Sequence, residues 1–477
     1  MTTIAVAARR GALLAILCGA LGCSSADSDA AAPAGAASLA LEPTVACDAV
    51  ADALYATPAG LPAFSADVRG KLLGCAKLAT ISSADLTTRL APSPGVVVSS
   101  GDVRVYLIAY RTERDPGVGA ISTALVYLPD VARSERVPMV LAAHGTTGLA
   151  DKCAPSRMVR DPPTSFLPIW YFDALYMSWA AQGLPVVAPD YAGLGTDGIH
   201  AYANWADPAR SAIDGVRALR SLLPASRLDG GTLVYGHSQG GGIALSVAAH
   251  ADEAPDVDLR AVVAFAPGYH FMNLVDVMRL RTMQLTPALR ALAAMYLYSD
   301  LANLTDDATH YGDGFAADVR GHIDDVTSSM CYTYIISTLD APSAGYVPPA
   351  TVGAAIDSTF SAAALDCADH GVCSGLTGAW VARDKANDPH LSAAGPPVLI
   401  VGSTGDEQVS QGQIGCVLDA LQKDGVTPDL CIQTGDDHLK MVATTTSYGF
   451  SWALAASTGA ARPACSSDTK RVPCALF

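Results

Sequence analysis

One serine in this chain, Ser238, stands in a setting typical of a nucleophile. It lies in the run Gly-His-Ser-Gln-Gly-Gly-Gly at 236–242, which follows the apolar stretch 232–235, so we predict a strand, a sharp turn and a helix. The turn leaves no space for side chains at its flanks, which accounts for Gly236 and Gly240. A serine held in this way exposes its hydroxyl to a cleft. The pattern therefore predicts attack on an ester or amide carbonyl.

A serine hydroxyl needs a base to accept its proton, and the base needs an acid that orients it. The seventh predicted strand leads into Asp406, and the eighth leads into His438. The order Ser238, Asp406, His438 is the order in which an α/β sheet with this turn supplies the three groups. Glu407 is a rival for the acid.

The negative charge that develops on the carbonyl oxygen needs two hydrogen-bond donors. We expect one to be the backbone amide of Gln239, at the start of the helix after the serine. The other should come from the loop His-Gly-Thr-Thr-Gly at 144–148, where we choose the amide of Thr146, with Thr147 as its competitor. This chemistry requires no cofactor, and no spacing typical of a nucleotide, flavin or zinc site is found in the sequence.

The elements that must position these groups alternate between strands and helices. The strands are apolar throughout, which indicates a mostly parallel sheet covered on both faces. We count eight strands, the first two an antiparallel hairpin, and predict an α/β-hydrolase fold with an inserted helical cap. The predicted divisions are a signal peptide at 1–22, a flexible tether at 23–43, the first part of the core at 44–268, the cap at 269–391, the second part of the core at 392–460 and a C-terminal extension at 461–477.

The N-terminus has the features of an export signal. Arg9 and Arg10 precede the apolar stretch 11–21, which is too short to remain in a bilayer as a spanning helix. Gly before Cys23 is similar to a bacterial lipoprotein site, although the aliphatic Leu21 stands one residue closer to the cysteine than usual. We therefore expect an exported protein, either extracellular or a cell-envelope lipoprotein attached by lipid at Cys23, with ordinary cleavage nearby as the alternative.

Composition limits the partners. The chain has 477 residues, half of them hydrophobic and 16% charged, with a formal net charge of −16 at pH 7. This charge argues against binding to nucleic acid and against attraction to anionic membranes. The expected partner is a small-molecule or lipid ester, and no obligate protein partner is implied.

The cysteines fit an oxidising compartment. Of twelve, Cys18 falls in the signal and Cys23 at the possible lipid site, which leaves ten for an expected five disulfides. Connectivity does not follow from one sequence, and closeness along the chain is the only guide. It favours the pairs Cys47–Cys75, Cys367–Cys373, Cys416–Cys431 and Cys465–Cys474, with Cys153–Cys331 remaining.

Four segments carry a resemblance to a known family. They are HGTTGLADKCAPS at 144–156, VVAPDYAGLGTDGIHAY at 186–202, YGHSQGGG at 235–242 and LYATPAGLP at 54–62. Together they resemble the secretory lipase family, roughly over residues 54–457. The resemblance implies a secreted, capped α/β-hydrolase with lipase or esterase activity and a triad at Ser238, Asp406 and His438. The cap segment matches poorly, and the stretch after 460 is an addition.

Three functional hypotheses follow. The first is a carboxylic ester hydrolase that works through an acyl-enzyme on Ser238. The second is a peptidase or amidase on the same triad, which assays of esters beside aminoacyl amides would distinguish. The third is a non-catalytic surface binding protein, which would fail to react with a fluorophosphonate probe.

Overall fold

The computed structural model describes nine ranges of the chain. The signal peptide, Cys23 and most of the predicted tether lie outside them, so nothing below bears on these predictions. The described ranges are 41–91, 101–130, 135–160, 167–202, 204–269, 274–305, 308–387, 389–467 and 470–475.

The centre of the fold is a sheet of nine strands. In chain order they are β1 (Leu72–Ile81), β2 (Val103–Glu113), β3 (Gly119–Pro129), β4 (Val137–Ala143), β5 (Val186–Pro189), β6 (Leu228–His237), β7 (Asp258–Phe265), β8 (Val398–Ser403) and β9 (Asp429–Gln433). The spatial order is β1-β2-β3-β5-β4-β6-β7-β8-β9. β1, β2, β3 and β5 pair antiparallel, and all pairs from β5 to β9 are parallel.

The strand count corrects the predicted eight to nine. The missing strand is β1, which lies in the predicted first part of the core, before the hairpin that we counted as the first two strands. Its sequence LLGCAKLATI does not alternate, it contains a glycine, and its pairing with β2 is interrupted by two irregularities. A half-buried edge strand of this kind lacks the periodicity by which strands are predicted. The other eight strands lie where they were expected.

Helices cover the sheet and connect its strands. They are α1 (Ser83–Leu90), α2 (Pro155–Arg160), α3 (Leu167–Ala181), α4 (Ala206–Leu222), α5 (Gln239–Ala249), α6 (Leu274–Arg279), α7 (Pro287–Thr305), α8 (Arg320–Ser329), α9 (Tyr332–Asp340), α10 (Val352–Ala355), α11 (Ser358–His370), α12 (Gly375–Ala386), α13 (Gln411–Lys423) and α14 (Lys440–Thr458). Every residue of β2 and β5 is buried. Since successive side chains of a strand point to opposite faces, both faces of the sheet are covered.

The connection from β7 to β8 carries seven of these helices, α6 to α12. α7 is the longest of them and contacts α8, α9 and α12. The predicted cap limits, 269 and 391, fall within this connection, and its division from the core stays a prediction. Within the described residues, no helix is both long and apolar enough to cross a membrane.

Five disulfides are present, and three of them match the expected pairs: Cys47–Cys75, Cys153–Cys331 and Cys367–Cys373. The other two expected pairs, Cys416–Cys431 and Cys465–Cys474, are wrong, because the structure has Cys416–Cys474 and Cys431–Cys465. The C-terminal tail is therefore joined to α13 through Cys416 and to β9 through Cys431.

The tail explains why these two pairings differ from those expected. A Cβ added to Gly415 in α13 would lie 2.6 Å from the carbonyl oxygen of Val472, and one added to Gly412 would lie 2.4 Å from that of Ala475. The tail thus passes closely over α13, and each of its cysteines reaches a partner on the core. Closeness along the sequence could not reveal this return.

Candidate active site

The turn that carries Ser238 joins β6 to α5. Ser238 has φ 59° and ψ −122°, a backbone conformation that costs free energy in a non-glycine residue. A Cβ added to Gly236 would lie 1.9 Å from the carbonyl oxygen of Gly240, and one added to Gly240 would lie 2.1 Å from that of Ala143. Glycine is therefore required at both flanks, and the strained serine is held at the tip of the turn.

The predicted base and acid lie against each other. Nδ1 of His438 donates a hydrogen bond of 2.7 Å to Oδ2 of Asp406, and both residues are buried. The other carboxylate oxygen, Oδ1, accepts from the backbone amides of Gln408 and Val409, at 2.8 and 2.9 Å. The rival acid, Glu407, is exposed. With Nδ1 as the donor, Nε2 of His438 is left as the proton acceptor.

Two loops bring this pair together, one after β8 and one after β9. The Ser403 hydroxyl donates to the carbonyl oxygen of Asp436 at 2.5 Å, and the Gly435 amide donates to the Thr404 hydroxyl at 2.8 Å. Because parallel strands end at the same edge of a sheet, neighbouring strand ends place both loops beside the turn of β6. Their mutual hydrogen bonds then fix the acid relative to the base.

Two further histidines, His144 and His237, support the site. Nε2 of His237 donates to the carbonyl oxygen of His438 at 2.9 Å, and the two rings lie 4.4 Å apart. Burial lowers the pKa of His237 well below its usual value, and it lowers the pKa of His144 to about 4. The His144 ring stacks on Tyr191, with its Nδ1 2.6 Å from the carbonyl oxygen of Gly145. Both rings are therefore neutral groups that hold backbone in place.

The two expected oxyanion donors, the amides of Gln239 and Thr146, belong to different elements, α5 and the 144–148 loop. Gln239 begins α5, and its side-chain amide donates to Nε2 of His200 at 2.8 Å. The 144–148 loop passes over the serine, since a Cβ added to Gly145 would lie 3.6 Å from that of Ser238. Within this loop the Thr146 hydroxyl hydrogen-bonds the hydroxyl of Tyr202 at 2.8 Å.

The same loop is fastened to the helical segment between β7 and β8. The carbonyl oxygen of Thr147 accepts from the amide of Tyr332 at 2.8 Å, and Gly148 forms a bridge with Cys331. Cys331 is also the disulfide partner of Cys153, a few residues after the loop. The 144–148 loop and the residues just after it are thus held by backbone, side-chain and covalent contacts.

A cavity of about 160 Å³ opens beside Ser238. Most of its wall is apolar, and Ser238 and His438 both line it. The remaining lining residues are Leu125, Tyr127, His144, Gly145, Thr146, Thr147, Pro155, Val159, Asp173, Tyr176, Ala188, Pro189, His237, Tyr332, Thr333, Ile336, Gln408 and Leu439. An apolar cavity that converges on a nucleophile and a base is a typical substrate site.

One part of this wall is polar, which the sequence did not indicate. Asp173 in α3 accepts a short hydrogen bond at Oδ1 from the Tyr127 hydroxyl, and Oδ2 lies 3.8 Å from Nη1 of Arg89. Burial raises the pKa of Asp173 to about 6, against the opposing effects of Tyr127 and Arg89. No motif marks Asp173, because it stands within an otherwise apolar helix. No cluster of three or more His, Cys, Asp or Glu side chains in the described ranges could bind a metal ion.

The family model that describes secretory lipases matches residues 172–317 of the chain. The chain resembles the secretory lipases. The matched range contains β5, β6 with the Ser238 turn, and β7, and it ends within the helical segment that follows. The match confirms the resemblance that the motifs indicated and the predicted enzyme class, carboxylic ester hydrolase. Together with the five disulfides, a secretory lipase match also indicates an exported protein.

Solved structures share the fold of this chain. The rice cell wall degrading esterase LipA from Xanthomonas oryzae is 18% identical over 82% of this chain and 97% of its own, with a TM-score of 0.60. Candida antarctica lipase A in its closed state is 15% identical over 88% of each chain, with a TM-score of 0.61. At this identity the likeness confirms the α/β-hydrolase fold and nothing finer. No match was found among curated proteins.

Proposed function

We propose that this protein is a serine carboxylic ester hydrolase, a lipase or esterase, that acts through an acyl-enzyme on Ser238. The observation that carries the proposal is that Ser238 and the hydrogen-bonded pair His438–Asp406 face one largely apolar cavity. The two solved structures that share the fold are named as an esterase and a lipase, which supports the same function.

In the proposed reaction, Nε2 of His438 takes the proton of the Ser238 hydroxyl as its oxygen attacks the ester carbonyl. Asp406 orients the ring and stabilises the imidazolium that forms. The backbone amides of Gln239 and Thr146 donate to the oxyanion. The tetrahedral intermediate collapses, and His438 returns the proton to the departing alcohol. Water, deprotonated by His438, then releases the acid from Ser238 by the same steps.

The test uses the purified mature protein with p-nitrophenyl butyrate and a fluorophosphonate probe. We expect turnover, labelling of Ser238 identified by peptide mass spectrometry, and a loss of about 10⁴-fold or more in kcat for Ser238→Ala. Ser451→Ala is the matched control, because Ser451 is exposed on α14 and hydrogen-bonds only within its helix. Full activity or unchanged labelling in Ser238→Ala would disprove the nucleophile.

The same preparation separates the remaining hypotheses. Faster cleavage of aminoacyl p-nitroanilides than of esters would identify a peptidase or amidase on the same residues. The absence of both turnover and probe labelling would favour the non-catalytic binding protein. No described contact favours either alternative over ester hydrolysis.

We also propose that the protein is exported and carries lipid at Cys23, which would place the catalytic unit at the cell envelope on the tether that follows. Expression with the full signal should yield a membrane-associated form whose N-terminal peptide carries the lipid mass. Cys23→Ala should release the protein into the soluble fraction. A soluble, unmodified N-terminus in the unaltered protein would indicate ordinary cleavage instead.

A further inference from the structure

The cavity beside Ser238 contains buried polar atoms that the proposed reaction does not use. Asp173 and Tyr176 line it and are only 3% and 5% exposed. Within the described part of the chain, neither Oδ2 of Asp173 nor the Tyr176 hydroxyl has a hydrogen-bond partner. Leaving such groups without a partner costs free energy, so a buried pair of this kind requires an explanation.

Among the described residues, only Oδ1 of Asp173 accepts a hydrogen bond. The Tyr127 hydroxyl donates to Oδ1. Arg89 approaches Oδ2 only to 3.8 Å, which is too long for a hydrogen bond, and its side chain is about one-third exposed. A group that served only to hold Tyr127 and Arg89 would need no access to the cavity. Oδ2 therefore keeps an acceptor site that a ligand in the cavity can use.

The size of the cavity limits the group that fits there. Its volume of about 160 Å³ is close to that of an apolar protein cavity of roughly 150 Å³ known to hold benzene. The aromatic side chains of Tyr127, Tyr176 and Tyr332 line it, and flat rings pack well against such walls. A group about as large as one six-membered ring would therefore fill the cavity.

We propose that the cavity takes the acyl group of the ester and selects a ring-sized acyl group that bears a hydroxyl. The substrate hydroxyl donates to Oδ2 of Asp173 and accepts from the hydroxyl of Tyr176. The acyl group is the part of the substrate that remains attached to Ser238 until water arrives, so it suits a cavity with a buried polar wall, whereas the alcohol must leave. This inference rests on the proposed ester hydrolysis.

The experiment compares substrates that differ only in hydroxyl against methyl. Methyl esters of the three hydroxyphenylacetic acids are measured beside those of the three matching tolylacetic acids. Because a hydrogen bond to a charged group contributes about tenfold or more, we expect at least one hydroxyl isomer to exceed its methyl partner about tenfold in kcat/KM. A higher kcat/KM for the tolylacetic ester than for the hydroxyphenylacetic ester in all three pairs would overturn the inference.

Two variants test whether Asp173 and Tyr176 cause the preference. Asp173→Asn removes the charge at nearly constant volume, and Tyr176→Phe removes one hydroxyl. Each should reduce the hydroxyl-to-methyl ratio at least about threefold, while Tyr346→Phe, a buried tyrosine of the helical segment, should leave it unchanged. The ratio does not depend on the amount of active enzyme, so partial misfolding does not affect the result. An unchanged ratio in both variants would mean that the hydroxyl binds elsewhere, and the assignment would be wrong.

The outcome also separates this inference from the proposed function. If p-nitrophenyl butyrate is hydrolysed and the tolylacetic ester is preferred in all three pairs, the inference fails alone. If no ester is hydrolysed, the proposed function fails and the inference fails with it.

Discussion

The two sides of the cavity beside Ser238 are built in different ways. On one side, Ser238, Asp406 and His438 each follow the end of a parallel strand, and Asp406 is bonded by two backbone amides and by His438. We call this the strand-end side. On the other side, the wall consists of side chains from β3, α3 and α9, including Tyr127, Asp173 and Tyr332. We call this the helical side, although β3 contributes to it.

We propose that the strand-end side carries out the reaction and that the helical side selects the acyl group. On the strand-end side, both oxygens of Asp406 have hydrogen-bond partners, and the loops of acid and base are tied to each other. On the helical side, Oδ2 of Asp173 and the Tyr176 hydroxyl have no hydrogen-bond partner among the described residues, and a disulfide joins Cys153 to Cys331 at the start of α9. A carboxylate with both oxygens hydrogen-bonded suits a reaction geometry that must not vary, whereas polar atoms that face a cavity without such a partner suit the recognition of a ligand.

The strand-end side should respond most strongly to loss of its acid. Asp406→Asn leaves the shape intact but removes the charge that orients His438, so we expect kcat for p-nitrophenyl butyrate to fall about 10⁴-fold. Glu407→Gln is the matched control, because Glu407 is adjacent and exposed, and its kcat should stay within about twofold of the unaltered protein. A larger loss in Glu407→Gln than in Asp406→Asn would assign the acid to Glu407.

The sequence predicted the strand-end side because its positions follow from strand order alone. Asp406 and His438 could be selected as the polar residues directly after the seventh and eighth predicted strands, and both lie together in the structure. Asp173 could not be found in this way, because it lies in an apolar helix and reaches the cavity only through the packing of α3 beside β3. Its contact with Tyr127 joins residues 46 positions apart.

The fold shows the same limit. Strands β2 to β9 have strong apolar patterns and were predicted, whereas the edge strand β1 is irregular and was missed. The pairs Cys416–Cys474 and Cys431–Cys465 depend on the path of the C-terminal tail over α13. That path is set by tertiary contacts, which local pattern does not report.

The second prediction concerns the Cys153–Cys331 disulfide on the helical side. Replacing Cys153 and Cys331 together by alanine should lower the free energy of unfolding by about 2–5 kcal/mol, since this disulfide closes a span of 178 residues. The matched double variant of Cys367 and Cys373 opens a span of only 6 residues and should cost less. Denaturant unfolding of both variants measures the difference, and equal losses would contradict the reasoning.

We also expect activity to separate these two disulfide variants. Cys331 pairs with Cys153, which follows the 144–148 loop, so we expect kcat to fall in its double variant. The Cys367–Cys373 pair joins the end of α11 to the start of α12, away from the lining of the cavity. A fall in kcat that is confined to the Cys367–Cys373 variant would show that the Cys153–Cys331 disulfide does not support the site.

The third prediction uses the buried carboxyl of the helical side. The pKa of Asp173 is raised to about 6 from 3.8, so the folded protein binds a proton more readily than the unfolded chain between these values. Stability is therefore favoured at low pH and lost as pH rises through about 6. Relative to the unaltered protein, Asp173→Asn should gain roughly 1–3 kcal/mol between pH 4 and pH 7 and little beyond.

Denaturant unfolding at several pH values measures this gain. The matched control is Asp325→Asn, which removes a carboxylate from an exposed position of α8. We expect a smaller change with pH there, because solvent screens exposed charges. A gain for Asp173→Asn that decreased with rising pH would reverse the sign and show that the folded protein stabilises the charged carboxylate.

The smallest expected effect lies where the two sides meet, at the hydrogen bond between Tyr202 and Thr146. Tyr202→Phe removes only the hydroxyl that Thr146 contacts at 2.8 Å. If the Thr146 amide donates to the oxyanion, its position matters most in the transition state, so the loss should lower kcat and leave KM nearly unchanged. One neutral hydrogen bond is worth about 1 kcal/mol, which corresponds to a fall of about fivefold.

Tyr346→Phe makes the same change at a buried tyrosine whose hydroxyl donates to Leu339 in the helical segment, and it should leave kcat unaltered. A rise in KM at constant kcat in Tyr202→Phe would instead assign this hydrogen bond to ground-state binding, and the oxyanion donor would then be sought at Thr147.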